Sequence, residues 1–356
     1  MDLTSVGLTL TTSALAVAAV VATVWLWPRL SARSWRAVTG RVGVLVLCQA
    51  LTLAATGLGV NAYFAFYSSW GDLLGTDTGT APITIAASGL RVLSSRTVPG
   101  GRIEQVILPG PTTRLSEEAY VFLPSAYFRD TTRRFPAILS LTGYPGDPRN
   151  LMTRLDLPGR MAKAIALHQV QPTILVMTRP SVVLPRDTEC VDVPRGPRVQ
   201  AYFADDVRRD MIEHYRAAEG RDSWGVLGGS TGGYCALKLA MSRPEAFSAA
   251  VSLSGYYKTI VDGTTGDLFR GDKGVEHRND LMWRLANLPA PPVNVLVTSS
   301  RKGESNYDAT ERFLAAVKAP MRASSLILPS GGHNFNTWNR ELPQALPWLA
   351  QQLTVP

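Results

Sequence analysis

Two long uncharged runs open the chain before any pattern of a water-soluble domain begins. Residues 6–27 contain no charged side chain, and a second uncharged run covers residues 42–67. A helix of about 20 apolar residues is long enough to cross the hydrocarbon core of a membrane. The pattern therefore predicts two spanning helices that form a transmembrane hairpin within residues 1–70. A cleaved secretory signal is the alternative for the first run, but it leaves the second run unexplained.

Basic residues around this hairpin predict its orientation. The connection between the two runs carries Arg29, Arg33, Arg36 and Arg41, whereas the N-terminal tail has Asp2 and no Lys or Arg. Connections rich in Lys and Arg stay on the cytoplasmic side of a membrane. We therefore expect a multi-pass protein of the cell membrane, with everything after the hairpin in an extracytoplasmic position.

The pattern changes after the second run. Residues 71–100 read as a connector rich in Gly, Thr and Ala, and residues 101–356 alternate β-rich runs with amphipathic stretches. Candidate strands lie near residues 103, 118, 135, 172, 224, 247, 293 and 324, and the last six are continuous apolar runs. Such runs are typical of parallel strands covered on both faces. We expect one α/β domain with a mostly parallel eight-stranded sheet and helices on both faces.

The charge and the residue composition limit which partners and cofactors the chain is expected to bind. The net charge of +8 is spread along the 356 residues rather than gathered in basic blocks, which argues against a nucleic acid partner. The sequence shows no clustered set of His, Cys and Asp residues that could bind a metal. We therefore expect neither a metal nor another cofactor. Cys48 lies in the second apolar run, which leaves Cys190 and Cys235 as the pair that oxidising conditions could join. Two unpaired buried cysteines are the alternative.

One serine lies in a sequence motif that is typical of a catalytic nucleophile. The stretch "WGVLGGSTGGYCALKLA" places Ser230 at the centre of a G-x-S-x-G motif, after a predicted strand and before a predicted helix. In that context the serine occupies a strained turn that exposes its hydroxyl as a nucleophile. A flexible turn without chemical function is the alternative.

A serine nucleophile needs a base and an acid that orients the base. Of the four histidines, His333 alone lies in a Gly-rich loop after the last predicted strand, where the order Ser, acid, His puts the base. Glu304, in the loop after the strand near residue 293, is the preferred acid. Asp308, at the start of a predicted helix, is the second candidate, and Asp262 is a more remote one.

Two backbone N–H groups are candidates for an oxyanion hole. One belongs to Thr231, directly after the serine, and the other to Tyr144 in the loop "TGYPGDPRN" after the strand near residue 135. A simple Gly/Pro turn is the alternative interpretation of that loop.

Four motifs, "GGSTGG", "LTGYPGD", "SLSGYY" and "GGHNFNTW", together resemble the antigen 85 and esterase D branch of the α/β hydrolases over about residues 100–352. The hairpin, followed by "FYSSWGDLLG", is similar to that of membrane-anchored esterases of actinobacteria. The resemblance implies an α/β-hydrolase fold with Ser230, Glu304 and His333 as the triad. It also implies the N–H groups of Tyr144 and Thr231 as oxyanion donors. Secreted antigen 85 proteins lack such a hairpin, so the resemblance implies ester chemistry more strongly than mycolyl transfer.

We therefore expect a serine esterase or acyltransferase that forms an acyl-enzyme. Placement beside the outer leaflet favours a lipid, glycolipid or other cell-envelope ester as substrate, with the membrane as the second partner. A serine peptidase of the same fold is the second hypothesis. A non-catalytic, membrane-tethered binding protein that keeps the hydrolase shape is the third.

Overall fold

The computed structural model describes residues 3, 5–64, 70, 73 and 90–355. The predicted end of the second spanning helix, residues 65–67, and most of the predicted connector, residues 71, 72 and 74–89, lie outside the described residues. The chain divides into two compact units, Met1–Thr84 and Ile85–Pro356. Each unit is described by itself.

The first unit contains two long apolar helices. Helix α1 covers Val6–Leu26, a 3-10 turn covers Trp27–Leu30, and helix α2 covers Trp35–Phe64. The hydroxyl of Ser5 accepts a hydrogen bond from Leu8 N and so caps the start of α1. The Asn61 side-chain amide donates to Leu3 O over 3.3 Å, which joins the end of α2 to the start of α1. Both helices are long and apolar enough to cross a membrane, with mean hydropathy of 1.8 and 1.9.

Helix α2 begins seven residues before the predicted position, at Trp35 instead of residue 42. The first two turns include Arg36 and Arg41. The prediction used the absence of charge as its signal, and that signal marks an apolar span rather than a helix. A helix can continue through the polar border of a span because its backbone hydrogen bonds are internal.

The second unit is built on a single sheet. Its strands are β1 (Arg91–Val98), β2 (Gly101–Pro109), β3 (Ser116–Pro124), β4 (Ala137–Leu141), β5 (Ile174–Thr178), β6 (Trp224–Gly229), β7 (Ala249–Leu253), β8 (Asn294–Ser300) and β9 (Arg322–Leu328). The order across the sheet is β1-β2-β3-β5-β4-β6-β7-β8-β9. The first three strands pair antiparallel, and β3 also pairs antiparallel with β5. The six strands from β4 to β9 are parallel, as the continuous apolar runs predicted.

The described residues form nine strands rather than the predicted eight. The additional strand, β1, lies inside residues 71–100, which the sequence analysis assigned to the connector. Seven of its eight residues are exposed, since it is an edge strand without a buried face. A strand of this kind leaves no alternation of apolar and polar residues for a sequence pattern to reveal.

Helices cover both faces of the sheet. In chain order they are α3 (Ser125–Arg129), α4 (Arg149–Thr153), α5 (Leu157–Ala166), α6 (Val199–Ala201), α7 (Arg208–His214), α8 (Thr231–Ser242), α9 (Lys273–Arg278), α10 (Leu281–Asn287), α11 (Tyr307–Ala316) and α12 (Phe335–Gln351), with a π-helical stretch at Tyr202–Val207 between α6 and α7. Val226 of β6 packs in the layer that contains α8, and its neighbour Leu227 packs in the layer that contains α12. This alternation confirms a sheet that is buried on both sides.

Parallel pairing gathers the loops that carry the candidate site residues. Because β4 to β9 run in the same direction, the loop after each of these strands emerges at one edge of the sheet. The neighbours of β6 in the sheet are β4 and β7, so the loops after those two strands flank the turn at Ser230. Ligands of open α/β sheets bind at this carboxyl edge.

Candidate active site

Ser230 occupies a strained turn directly after a buried strand. Every residue of β6 is buried, and Ser230 follows with φ 56° and ψ −122°. A positive φ is uncommon for a residue with a side chain and costs on the order of 1–3 kcal/mol. Two backbone hydrogen bonds hold the turn, from Ser230 N to Leu253 O and from Tyr234 N to Ser230 O, each 3.0 Å long.

Two glycines allow the backbone to close tightly around this turn. A Cβ atom at Gly228 would lie 2.2 Å from the carbonyl oxygen of Gly232, and one at Gly232 would lie 2.2 Å from the carbonyl oxygen of Thr142. Both contacts are with backbone atoms, so no side-chain rotation could relieve them. The two flanking glycines of the motif are therefore a steric requirement of the turn.

His333 meets Ser230 from a loop 103 residues further along the chain. Its Nε2 atom lies 2.8 Å from Ser230 Oγ, within hydrogen-bond distance. The loop follows β9, and Asn334 caps the next helix, α12, by accepting from Thr337 N. Surrounding protein atoms take hydration from the ring and so lower the pKa of His333, while the charge of Glu304 opposes that change. A neutral imidazole at this distance can take the hydroxyl proton as the oxygen attacks.

Glu304 lies in the loop after β8, where two serine hydroxyls bind its carboxylate. Ser254 Oγ donates to Oε1 over 2.5 Å. Ser299 Oγ lies 3.2 Å from Oε2 and 2.7 Å from Asn306 Oδ1, and these two acceptors share its single proton. Within the described part of the chain, no hydrogen bond or ion pair within 4.0 Å joins Glu304 to His333. The two residues interact through the electric field of the carboxylate, whose negative charge favours the protonated imidazole.

The other acidic candidates have different surroundings. Asp308 lies in the first turn of α11 and is exposed. Asp262 is also exposed, and its carboxylate accepts hydrogen bonds from Thr264 N, Thr264 Oγ1 and Thr265 N in a tight local turn. Both residues thus have a structural explanation at helix starts and turns.

A network of hydrogen bonds fixes Ser254, which donates to Glu304. Ser254 has φ 50°, its hydroxyl accepts a 2.9 Å bond from Trp338 Nε1, and its N–H donates to Thr298 Oγ1 over 3.1 Å. Thr298 Oγ1 in turn donates to the buried carboxyl group of Glu341 over 2.7 Å. Burial raises the pKa of Glu341 to about 8, which favours the neutral form of this carboxyl group beside Glu304.

The loop after β4 lies directly against the serine. A Cβ atom at Gly143 would lie 3.2 Å from the Cβ of Ser230, so only glycine allows this close approach without displacement. The loop is closed by hydrogen bonds from Gly146 N to Gly143 O and from Thr142 Oγ1 to Gly146 O. Tyr144 follows Gly143, and its side chain turns to the loop after β5, where its hydroxyl donates to Pro185 O.

Helix α8 begins at Thr231, directly after the serine. The first N–H groups of a helix have no partner within that helix and favour negative charge. Thr231 is buried, with 6% of its surface exposed. The start of α8 is also packed against the loop after β4, since a Cβ atom at Gly232 would lie 2.2 Å from Thr142 O. The two N–H groups that the sequence analysis selected therefore belong to neighbouring segments beside Ser230.

A disulfide ties α8 to the loop after β5. The sulfur atoms of Cys190 and Cys235 are 2.04 Å apart, and their Cα atoms are 5.8 Å apart. Cys48 is the free cysteine of the described residues. The crosslink closes a separation of 45 residues. A covalent link of this length removes conformations from the unfolded chain and stabilises the fold by about 2–4 kcal/mol.

Sequence reasoning did not identify the side chains that hold Glu304. Ser254 and Trp338 belong to the motifs "SLSGYY" and "GGHNFNTW". These motifs carried the family resemblance, but no function was assigned to the two residues. Ser299 lies inside an apolar run and carries no signal of its own. Which hydroxyl reaches a carboxylate across the sheet depends on strand register, and register is not visible in one sequence.

Comparisons with known proteins agree with this architecture. The structure resembles an S-formylglutathione hydrolase from Agrobacterium tumefaciens, with a TM-score of 0.62, 15% identity, and coverage of 74% of this chain and 100% of that chain. It resembles a ferulic acid esterase with a TM-score of 0.60 and 16% identity, over 73% of this chain and 99% of that chain. At these identities the likeness shows the α/β-hydrolase fold.

The sequence comparisons extend this from fold to family. An uncharacterized protein of Corynebacterium glutamicum is 22% identical over 346 residues, which cover 88% of this chain and 77% of that protein. The model of the family described as "Putative esterase" matches residues 114–349. That match covers well over half of the chain and contains Ser230, Glu304 and His333. The chain therefore belongs to this esterase family of the α/β hydrolases, and it is a carboxylic-ester hydrolase.

Proposed function

We propose that Ser230, His333 and Glu304 are the catalytic triad of a serine esterase or acyltransferase that is anchored in the cell membrane. The observation that carries this proposal is the 2.8 Å contact between His333 Nε2 and Ser230 Oγ on a strained turn. Esterase chemistry needs a hydroxyl that is exposed, held and paired with a base. The hydrogen bond joins two segments that are 103 residues apart, so local chain geometry alone does not account for it.

In the proposed reaction, Ser230 Oγ attacks the carbonyl carbon of the ester while His333 Nε2 takes the hydroxyl proton. The carbonyl oxygen becomes an oxyanion, which the N–H groups of Tyr144 and Thr231 stabilise. When the intermediate collapses, the bond from carbon to the alcohol oxygen breaks, and His333 returns its proton to the departing alcohol. The acyl group is then bound to Ser230 as an ester.

A second alcohol or water completes the cycle. His333 takes a proton from the incoming hydroxyl, which attacks the acyl carbon, and Ser230 recovers its own proton as it leaves. Water gives hydrolysis, and a sugar or lipid hydroxyl gives acyl transfer. Glu304 stabilises the imidazolium that forms in each step by its negative charge. Its carboxylate stays ionised throughout and can accept a hydrogen bond from Nδ1–H when the site is occupied by substrate.

The substrate class follows from the first unit. Two apolar helices and four arginines between them support a membrane anchor whose connection lies in the cytoplasm. The esterase unit then lies outside the cytoplasm, close to lipids and other envelope esters. We propose a lipid or glycolipid ester as the substrate, in keeping with the resemblance to the antigen 85 branch.

Replacement of the nucleophile tests the reaction. Ser230→Ala should lower kcat/KM for p-nitrophenyl esters by about 10³-fold or more, since it removes the hydroxyl on which the proposed acyl-enzyme forms. Ser242→Ala, at the far end of the same helix, removes a hydroxyl without a hydrogen-bond partner in the described residues and should leave the rate unchanged. Equal turnover by the two variants would overturn the assignment. Faster turnover of peptide anilides than of p-nitrophenyl esters would instead indicate a serine peptidase.

The pH profile tests the role of His333. The base must be neutral to take a proton, so activity should fall as the pH drops through its pKa. Because lost hydration lowers the pKa of His333, the midpoint of this fall in kcat/KM should lie below the ordinary histidine value of about 6.5. A midpoint above that value would contradict the geometry of the site.

Glu304 and Asp308 can be distinguished by matched amide substitutions. Glu304→Gln should lower kcat by about 10³ to 10⁴-fold, because the imidazolium loses its nearby negative charge. It should also move the midpoint of the acid limb to lower pH, since the charge of Glu304 raises the pKa of His333. Asp308→Asn should change neither quantity. If Asp308→Asn lowered kcat and Glu304→Gln did not, Asp308 would be the acid of the triad.

Labelling of intact cells tests the orientation. In a Cys48→Ala background, Ser31→Cys places a thiol in the predicted cytoplasmic connection, and Lys318→Cys places one on the exposed surface of the esterase unit. A membrane-impermeant maleimide should label the Lys318→Cys variant in intact cells and the Ser31→Cys variant only after permeabilisation. The reverse order of labelling would contradict an extracytoplasmic esterase.

A further inference from the structure

Half of the exposed large apolar side chains of the esterase unit lie on two loops at the carboxyl edge of the sheet. Eight such side chains are exposed among residues 90–355. Four of them form two adjacent pairs, Val183 with Leu184 in the loop after β5 and Ile260 with Val261 in the loop after β7, and they are 37% to 57% exposed. A single exposed apolar residue is ordinary, but a concentration of them marks a binding surface. We call these four residues the apolar rim.

Hydrogen bonds join the two turns that carry the apolar rim. Arg186 N donates to Val183 O over 3.0 Å and closes the first turn. In the second turn, Asp262 follows Val261 directly, and its N–H donates to Thr265 Oγ1 over 2.8 Å. The guanidinium of Arg186 crosses between the turns and donates to Thr265 O over 2.7 Å. The two apolar pairs therefore lie on neighbouring turns.

The first turn lies close to the loop that packs against the catalytic serine. That loop approaches Ser230 at Gly143, and the next residue, Tyr144, extends from it to the first turn, where its hydroxyl donates to Pro185 O. Pro185 directly follows Leu184 of the apolar rim. The length of one tyrosine side chain thus separates the first turn from the loop beside Ser230.

Charge gives this surface no preference for a charged partner. In the segments that carry the apolar rim, residues 181–187 and 258–270, the exposed charged side chains are Lys258, Asp262, Asp267 and Arg270, two of each sign. The carboxylates of Asp262 and Asp267 also accept backbone hydrogen bonds within their own turns. Opposite charges in equal number give no net attraction to an anion or a cation. The partner is therefore one that offers apolar surface.

A lipid layer is the apolar partner to which the chain itself points. The same chain carries helices α1 and α2, which are long and apolar enough to cross a membrane. An enzyme unit joined covalently to such helices works beside a lipid surface. Aliphatic side chains bury into the boundary between lipid headgroups and acyl chains, while neighbouring charged side chains stay at the level of the headgroups. The mixture of aliphatic and charged side chains on these two turns fits shallow contact of this kind.

We propose that the apolar rim docks on the lipid surface of the membrane and thereby brings Ser230 to esters that are dissolved in that lipid. This inference rests on the proposed function, since it takes the substrate to be a lipid ester. It adds the surface by which the enzyme meets such a substrate. Docking of this kind lets a lipid ester reach the nucleophile without first leaving the lipid for water, a transfer that costs more as the acyl chain lengthens.

Serine substitutions in the apolar rim test the docking. The full chain is reconstituted in phosphatidylcholine vesicles and assayed with p-nitrophenyl palmitate in the lipid and p-nitrophenyl acetate in the water. For Leu184→Ser and Val261→Ser, the ratio of kcat/KM for the palmitate to that for the acetate should fall about fivefold, because less apolar surface is buried in lipid. Leu167, at the end of α5 and before β5, is similarly exposed at the opposite edge of the sheet. Leu167→Ser should leave this ratio unchanged. The same ratio for all three variants would overturn the inference.

Contact with lipid can also be measured without turnover. The chain has three cysteines, of which Cys190 and Cys235 are joined, so a Cys48→Ala background leaves no free thiol. Leu184→Cys or Leu167→Cys in that background provides one site for a fluorophore. Doxyl-labelled phosphatidylcholine in the vesicles should quench the fluorophore at position 184 and not the one at position 167. Equal quenching at the two positions would contradict the inference.

Two other occupants of the apolar rim would give different results. If the rim bound the acyl chain of a single substrate molecule, Leu184→Ser would also lower kcat/KM for water-dissolved p-nitrophenyl butyrate relative to the acetate. If a second copy of the chain covered the rim, Leu184→Ser would change the oligomeric state measured by light scattering, and doxyl lipid would not quench the fluorophore at position 184. Either result would overturn the inference.

These assays distinguish failure of this inference from failure of the proposed function. If Ser230→Ala abolishes turnover of both esters while Leu184→Ser matches Leu167→Ser, the triad stands and the docking surface is wrong. If Ser230→Ala retains turnover, the proposed function itself is wrong. Quenching by doxyl lipid does not depend on catalysis, so it decides in either case whether the apolar rim contacts lipid.

Discussion

The positive φ of Ser230 is the constraint on which the geometry of this site depends. An L-residue adopts this conformation only where surrounding structure compensates its cost. Here the compensation comes from buried β6, from the hydrogen bond to Leu253 O in the adjacent strand β7, and from the first turn of α8. The resulting turn carries the hydroxyl beyond the end of the sheet, where a side chain from a distant loop can reach it.

Other side chains of the site fix the positions of Glu304 and His333 relative to Ser230. Ser254 and Ser299 fix the carboxylate of Glu304, and Trp338 fixes Ser254 while its ring lies edge-on to His333, with centroids 5.5 Å apart. On the other side, the Cys190–Cys235 disulfide joins the loop after β5 to α8. The parts that would move a proton are thus supported by side chains that are hydrogen-bonded to other parts of the protein. Such support is what keeps a preorganised site effective.

Features with a strong local pattern could be predicted from the sequence. The six parallel strands appear as continuous apolar runs, and the turn at Ser230 appears as glycines on both sides of a serine. The Ser230 and His333 side chains, selected from separate loops, are the pair that the structure brings within 2.8 Å.

Features that depend on three-dimensional surroundings could not be predicted. Strand β1 has no buried face and therefore no period, and the start of α2 lies beyond its apolar span. The partners of Glu304 depend on register, and the contact of Glu189 with Tyr256 joins residues 67 positions apart. In the last two cases the decisive contact is made across the fold, where sequence spacing gives no information.

The acyl-enzyme is the most direct test of the central claim. A p-nitrophenyl ester mixed with the protein and quenched in acid within the first turnovers should give a species heavier by one acyl group. Peptide mapping by mass spectrometry should place that group on the peptide that contains Ser230, with a burst of p-nitrophenol of about one equivalent. An acyl group on another residue, or steady turnover without any acylated protein, would contradict the account.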